Sequence, residues 1–220
     1  MKREIIQTKD GSTTIHLEEW NESYHSKHGA IQEAKHVFIK NGLSLFKDKS
    51  LSVLEIGFGT GLNAFISFLE AQTMGQTINY VGVEAYPVSV EEAASMNYVA
   101  ELDVENERPI FEKLHECPWE EPIVLREDFV FTKRKQFFAD IDDKEQFDLI
   151  YFDAFGYDVQ PELWSTAIFQ KMYDALKPKG VLVTYAARGV IKRSMMEAGF
   201  TVEKLEGAPG KREMFRARKV

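Results

Sequence analysis

Cysteine is nearly absent. Cys117 stands alone among 220 residues, which excludes an intrachain disulfide and any zinc site built on cysteine pairs. Long apolar runs are missing too. The stretch from Gly180 to Ala187 is among the longest, and it falls far short of the ~20 residues a membrane span needs, so no membrane partner is expected. The opening MKREIIQTKDG carries charge without an apolar core, so no secretory signal is read there and the cytoplasm is the expected compartment. Neither an internal repeat nor a low-complexity linker interrupts the chain. Positive charge is outnumbered overall, since a net charge of −8 leaves little for a phosphate backbone to hold. Its distribution is uneven. From Arg188 to Val220 nine Lys and Arg stand against four Glu, which is either a solvated basic face or a phosphate footprint on an acidic protein.

What is present has an ordered pattern. Ile5 to Leu17, with Asp10-Gly11 between stretches rich in Ile and Thr, reads as a hairpin. Tyr24 to Gly42 carries Ile31, Ala34, Val37 and Phe38 at helical spacing. Residues 1–45 are thus expected to form an extension on a main domain of residues 46–220. From there, apolar runs at Leu51–Ile56, Ile78–Val83, Ile123–Leu125, Phe147–Phe152, Gly180–Tyr185, Thr201–Leu205 and Glu213–Ala217 are separated by helical segments. The helical candidates are Gly61–Gln72, Val88–Val99, Glu162–Ala175 and Val190–Ala198. The alternation predicts an α/β fold, a mostly parallel seven-stranded sheet covered on both faces, with ligands at the carboxyl ends of its strands.

Three glycines at alternate positions, Gly57, Gly59 and Gly61, follow the first of these runs in LSVLEIGFGTGLN. Glycine inside regular structure costs about 0.5–1 kcal/mol relative to alanine, so a tight turn or a close ligand must require it. The dinucleotide fingerprint needs glycine where Leu62 stands, which disfavours a dehydrogenase. The spacing resembles the first motif of class I S-adenosylmethionine-dependent methyltransferases, whose fold is Rossmann-like. That resemblance implies that the turn from Gly57 and Phe58 through Gly59 and Gly61 to Asn63 approaches the methionine part of the cofactor, with Glu55 holding its amino end. Glu84 ends the next run, where one carboxylate can accept from both ribose hydroxyls. Asp128, after the third run, or its neighbour Glu127, would face the adenine. Asp153 ends the run FDLIYF, where a lone buried carboxylate is costly; the resemblance puts it at the cofactor's methyl group and the substrate.

The segments SYHSKHGAIQEAKHVFIKNGL, VLEIGFGTGLN, FDAFGYDVQPELW and RGVIKRSMMEAGFTVEKLEGAPGKREM together resemble the MnmC/MnmD family of tRNA methyltransferases. D-x-F with P-E-x-W and a closing K-R-E-M is far more specific than a glycine loop. The resemblance implies methylation of the 5-aminomethyl group of 2-thiouridine at the tRNA wobble position, with the anticodon loop as partner and S-adenosylmethionine as donor. The chain departs from family members that carry a Pro and a Lys-Asn pair where it has Gly156 to Gln160. It resembles the form without the FAD oxidase domain, so no flavin is expected.

Asp153 is the expected catalytic group, accepting a hydrogen bond and then a proton from the amine. Single-stranded RNA is read by stacking and phosphate contacts. Tyr24, His25, Phe155 and Tyr157 are candidates for the substrate's surroundings, and Arg188, Lys192, Arg193, Lys211 and Arg212 for its phosphates or as partners of carboxylates. Trp164 fits a core position better. His25 and His28 lack the further ligands a metal needs, so no metal is expected. The competing readings are a methyltransferase for a small amine or a protein, and a non-catalytic module that binds RNA or cofactor.

Overall fold

The computed structural model describes residues 2–220. Strands β1 (Arg3–Gln7), β2 (Thr13–Leu17) and β3 (Glu22–Ser23) form a small antiparallel sheet. Helix α1 (Ala30–Ala34) follows and widens into a π-helical stretch over Lys35–Lys40. It starts later than periodicity predicts because the chain is still turning at Gly29, whose φ is 149°.

The main sheet begins with β4 (Ser50–Ile56), α2 (Leu62–Thr73) and β5 (Thr77–Val83). The helix expected over Val88–Val99 divides into α3 (Val90–Ala94), opened by a capping box of Ser89 and Glu92, and α4 (Tyr98–Glu101). Then come α5 (Arg108–Glu116), β6 (Ile123–Arg126), β7 (Phe129–Arg134) and β8 (Phe147–Phe152). The chain closes with α6 (Thr166–Ala175), β9 (Leu176–Thr184), α7 (Gly189–Glu197), β10 (Thr201–Glu206) and β11 (Glu213–Arg218).

The sheet has eight strands in the order β10-β11-β9-β8-β4-β5-β7-β6, one more than expected. The strand not expected is β7, which lies parallel beside β5, while the run expected at Ile123–Leu125 forms the antiparallel edge strand β6. Strand β4 packs one core with Leu51 and Val53 and the other with Leu54 and Ile56, following the period of two. Val37 and Phe38 share the first core with Val53, Tyr80 and Tyr151, so the N-terminal segment is built into the same hydrophobic interior. The chain runs outward from β4 through β5 to β7, then crosses to β8 on β4's other side. The β4–β8 junction is therefore the topological switch point.

Candidate active site

At that junction the loop after β4 meets the loop after β8. A Cβ on Gly57 would lie 2.5 Å from the carbonyl oxygen of Asp153, and φ there is +88°. This close approach accounts for the first glycine. A cavity of about 940 Å³ opens beside it, lined by the glycine loop with Phe58, by Asn63, Glu84, Asp153 and Phe155, and by Tyr24 and His25 from the N-terminal segment. That is at the upper end of small-molecule pockets.

Glu84 sits just past β5, where Oε2 accepts from Gly59 N at 3.0 Å and Oε1 from Tyr86 N at 2.9 Å. Asn63, in the first turn of α2, is buried and bridges two carboxylates: its Nδ2 donates to Glu55 Oε1 at 2.9 Å and to Asp153 Oδ2 at 2.8 Å. Asn63 Oδ1 is buried and has no hydrogen-bond partner among the described residues. An acceptor left so is costly unless a ligand supplies a donor. Burial pushes Asp153 up from the ordinary carboxylate range to about 7; Glu33 adds to the rise, while the Asn63 hydrogen bond and Lys211 oppose it. Among the described residues no cluster of His, Cys, Asp and Glu is arranged to hold a metal ion, and no helix is long and apolar enough to cross a membrane.

Two acidic expectations are corrected. Glu55 does not reach the cavity: it is fully buried, Tyr80 donates to its Oε2 at 2.9 Å, and Asn63 stands in front of it. It braces Asn63 and cannot hold a cofactor's amino end directly. Burial pushes its carboxyl well above the usual range. Asp128 lies at the wrong end of the sheet. Its carbonyl accepts from Ile78 at the start of β5 and its carboxylate pairs with Arg126, while the opposite end of β7 leads toward the cavity. The residues there that line the wall are Phe137, Phe138 and Ala139, which are apolar.

The predicted substrate residues divide. Tyr24, His25, Phe155 and Lys211 line the cavity. Tyr157, Arg188, Lys192, Arg193 and Arg212 lie outside its wall: Arg188 pairs with Asp158, and Tyr157 packs on the second core. His25 is hydrogen-bonded with Thr14 Oγ1, and burial lowers it to about 4. Trp164 is fully buried and donates to Phe155 O at 2.8 Å, which fixes the loop after β8 from beneath. Residues missed by sequence reasoning include Trp20, Glu33, Phe137 and Tyr185. Trp20 and Tyr24 both meet Phe155 edge to face, with centroids 5.6 and 5.0 Å apart. Glu33 alone left a trace in the sequence, as the one acid among Ala30, Ile31, Ala34 and Val37.

A backbone cradle that admits no Cβ, a carboxylate at the end of β5, an orphaned acceptor and apolar walls suit a nucleoside that carries a free amino-acid group. The architecture is that of the class I S-adenosylmethionine-dependent methyltransferase fold. A family model described as S-adenosyl-L-methionine-dependent methyltransferase matches residues 118–220. The tRNA 5-methylaminomethyl-2-thiouridine biosynthesis bifunctional protein MnmC from Burkholderia mallei is 29% identical over 96% of this chain, as is that of Burkholderia pseudomallei. The chain spans 34% of the length of these relatives. Among solved structures, MNMC2 from Aquifex aeolicus gives a TM-score of 0.76 at 24% identity, over 98% of this chain and 70% of that one. Spermidine synthase from Thermotoga maritima gives 0.56 at 13%, over 99% and 69%. Likenesses at these identities speak for the fold. Over nearly its whole length the chain is similar to part of these MnmC proteins, the family its motifs resemble.

Proposed function

We propose that this chain methylates the amine of 5-aminomethyluridine, or of its 2-thio form, at the tRNA wobble position, with S-adenosylmethionine as donor. The observation that carries the reading is Asp153, a buried carboxyl poised at about 7 in the same cavity as the glycine cradle and Glu84. The relatives' role in 5-methylaminomethyl-2-thiouridine biosynthesis, carried in their name, supplies the substrate.

In this reading Gly57, Gly59 and Gly61 would admit the cofactor to the backbone, Glu84 would accept from its ribose hydroxyls, and Phe137 and Phe138 would lie beside its adenine. Asn63 Oδ1 would accept from its ammonium group. The bound cofactor supplies an electrophilic methyl group on a sulfonium. An alkyl amine is largely protonated at neutral pH, like lysine with its pKa near ~10.4. Asp153 accepts an N–H of this amine, turns its lone pair toward the cavity and receives the proton it must shed. Holding the reacting atoms in line is the larger part of the task. Trp20, Tyr24 and Phe155 offer stacking faces for the base, and Lys211, Arg193 and Arg212 charges for the anticodon loop.

The test is transfer of labelled methyl to tRNA carrying 5-aminomethyl wobble uridine, with unmodified tRNA and free amines as controls. Label in the 5-methylaminomethyl nucleoside is expected. Label confined to free amines or to protein would overturn the tRNA assignment.

A further inference from the structure

Glu33 and Lys211 face the same cavity, although one belongs to α1 and the other to the loop between β10 and β11. Glu33 is 7% exposed on an otherwise apolar helix face. One oxygen pairs with Lys211 Nζ and the other accepts from Ser26 N at 3.0 Å. Lys211 Nζ also lies 3.9 Å from the centroid of the Tyr185 ring, and Tyr185 Oη donates to Ala154 O at 2.9 Å. A continuous path of contacts therefore runs from the N-terminal segment to the residue after Asp153. Buried ion pairs are weak stabilisers, because desolvation offsets most of their attraction. Stability alone does not account for keeping these charges on the cavity wall.

We propose that Glu33 and Lys211 are positioning residues that act on Asp153 through opposed charges, so that α1 and the β10–β11 loop jointly set the protonation state in which Asp153 meets the methyl acceptor. The inference rests on the reading of Asp153 given above. The charged and titratable groups around Asp153 are Glu55, held behind Asn63 on α2 and bonded by Tyr80 of β5, and Glu33, Lys211 and Tyr185, which line the same cavity; Asn63 itself donates to it. Of these, Glu33 raises its proton affinity, whereas Asn63 and Lys211 lower it.

The test follows the carboxyl carbon of Asp153 by NMR in protein labelled at aspartate Cγ, the resonance being assigned by its loss in D153N. No substrate is needed, so failure of the tRNA assignment and failure of this proposal are separate results. E33Q leaves Lys211 unopposed, and the Asp153 midpoint should fall by at least about half a pH unit; K211M leaves Glu33 unopposed, and it should rise by a similar amount. The double variant E33Q/K211M should return toward the native midpoint. In the methyl-transfer assay the acid limb of kcat should move in the same directions. A merely structural pair would loosen the site in both single variants and lower both midpoints. Midpoints that fall together, or that stay at the native value, overturn the proposal. Should E33Q fail to fold, the direction of K211M alone decides it.

Discussion

Asp153 is useful because burial has made its charge expensive. The carboxyl that ordinarily titrates near 3.8 is held at about 7, so near neutrality it can both accept and release a proton. Replacement D153N should lower turnover by about 10²-fold or more, while cofactor affinity measured by calorimetry stays within about twofold. The same variant should melt higher than the native protein at pH 8. A group whose pKa is raised on folding contributes stability at low pH and loses it as pH rises through the folded value, and asparagine cannot ionise. Since 1 kcal/mol corresponds to about 2–4 °C in a chain of this size, the rise should be at least about 2 °C in a thermal melt. Unchanged melting would show that the carboxylate is solvated. The acid limb of native turnover should lie near pH 7, and a limb near pH 4 would remove Asp153 as the proton acceptor.

The glycine loop and the β8 end are elements whose placement at one cavity was legible in the sequence. Glycines at alternate positions after an apolar run serve a tight turn or a close ligand and little else, and an acid that ends such a run rarely sits there for packing alone. Strand β7 escaped because its sequence FVFTKR places Lys133 at a fully buried position, and a charge there reads as solvent-facing. In the fold Lys133 Nζ donates to His115 O and lies 4.7 Å from the centroid of the Trp119 ring, so the aliphatic stem is buried while its tip finds partners. Missing β7 put Asp128 at the wrong end of the sheet. Glu55 misled for a different reason. The alternation along β4 shows that it points into the first core, but the motif's usual role hid that. A methyl group at Gly57 tests the junction itself. G57A should weaken cofactor binding at least about tenfold and destabilise the fold by roughly 1–3 kcal/mol, through the clash with Asp153 O and the strain of a positive φ. Native affinity in that variant would mean the two loops can separate freely.

At the scale of the whole molecule, two histidines set a direction for stability against pH. His25 and His115 are both lowered from 6.5 to about 4, chiefly by burial. Their contribution is complete above pH 6.5 and lost as pH falls toward 4, because the unfolded chain binds the protons first. His115 donates from Nε2 to Thr60 O at 3.1 Å, a bond that the amide of glutamine can imitate. On moving from about pH 7 to pH 5, H115Q should therefore lose less melting temperature than the native protein. An equal loss in both would clear His115 of the effect.

The contact between Glu33 and Lys211 joins residues 178 positions apart. During synthesis the ribosome would expose the glycine cradle and both strand-end carboxylates well before Lys211 emerges. The part of the cavity wall that this pair forms is therefore completed only once the closing hairpin of the sheet has paired.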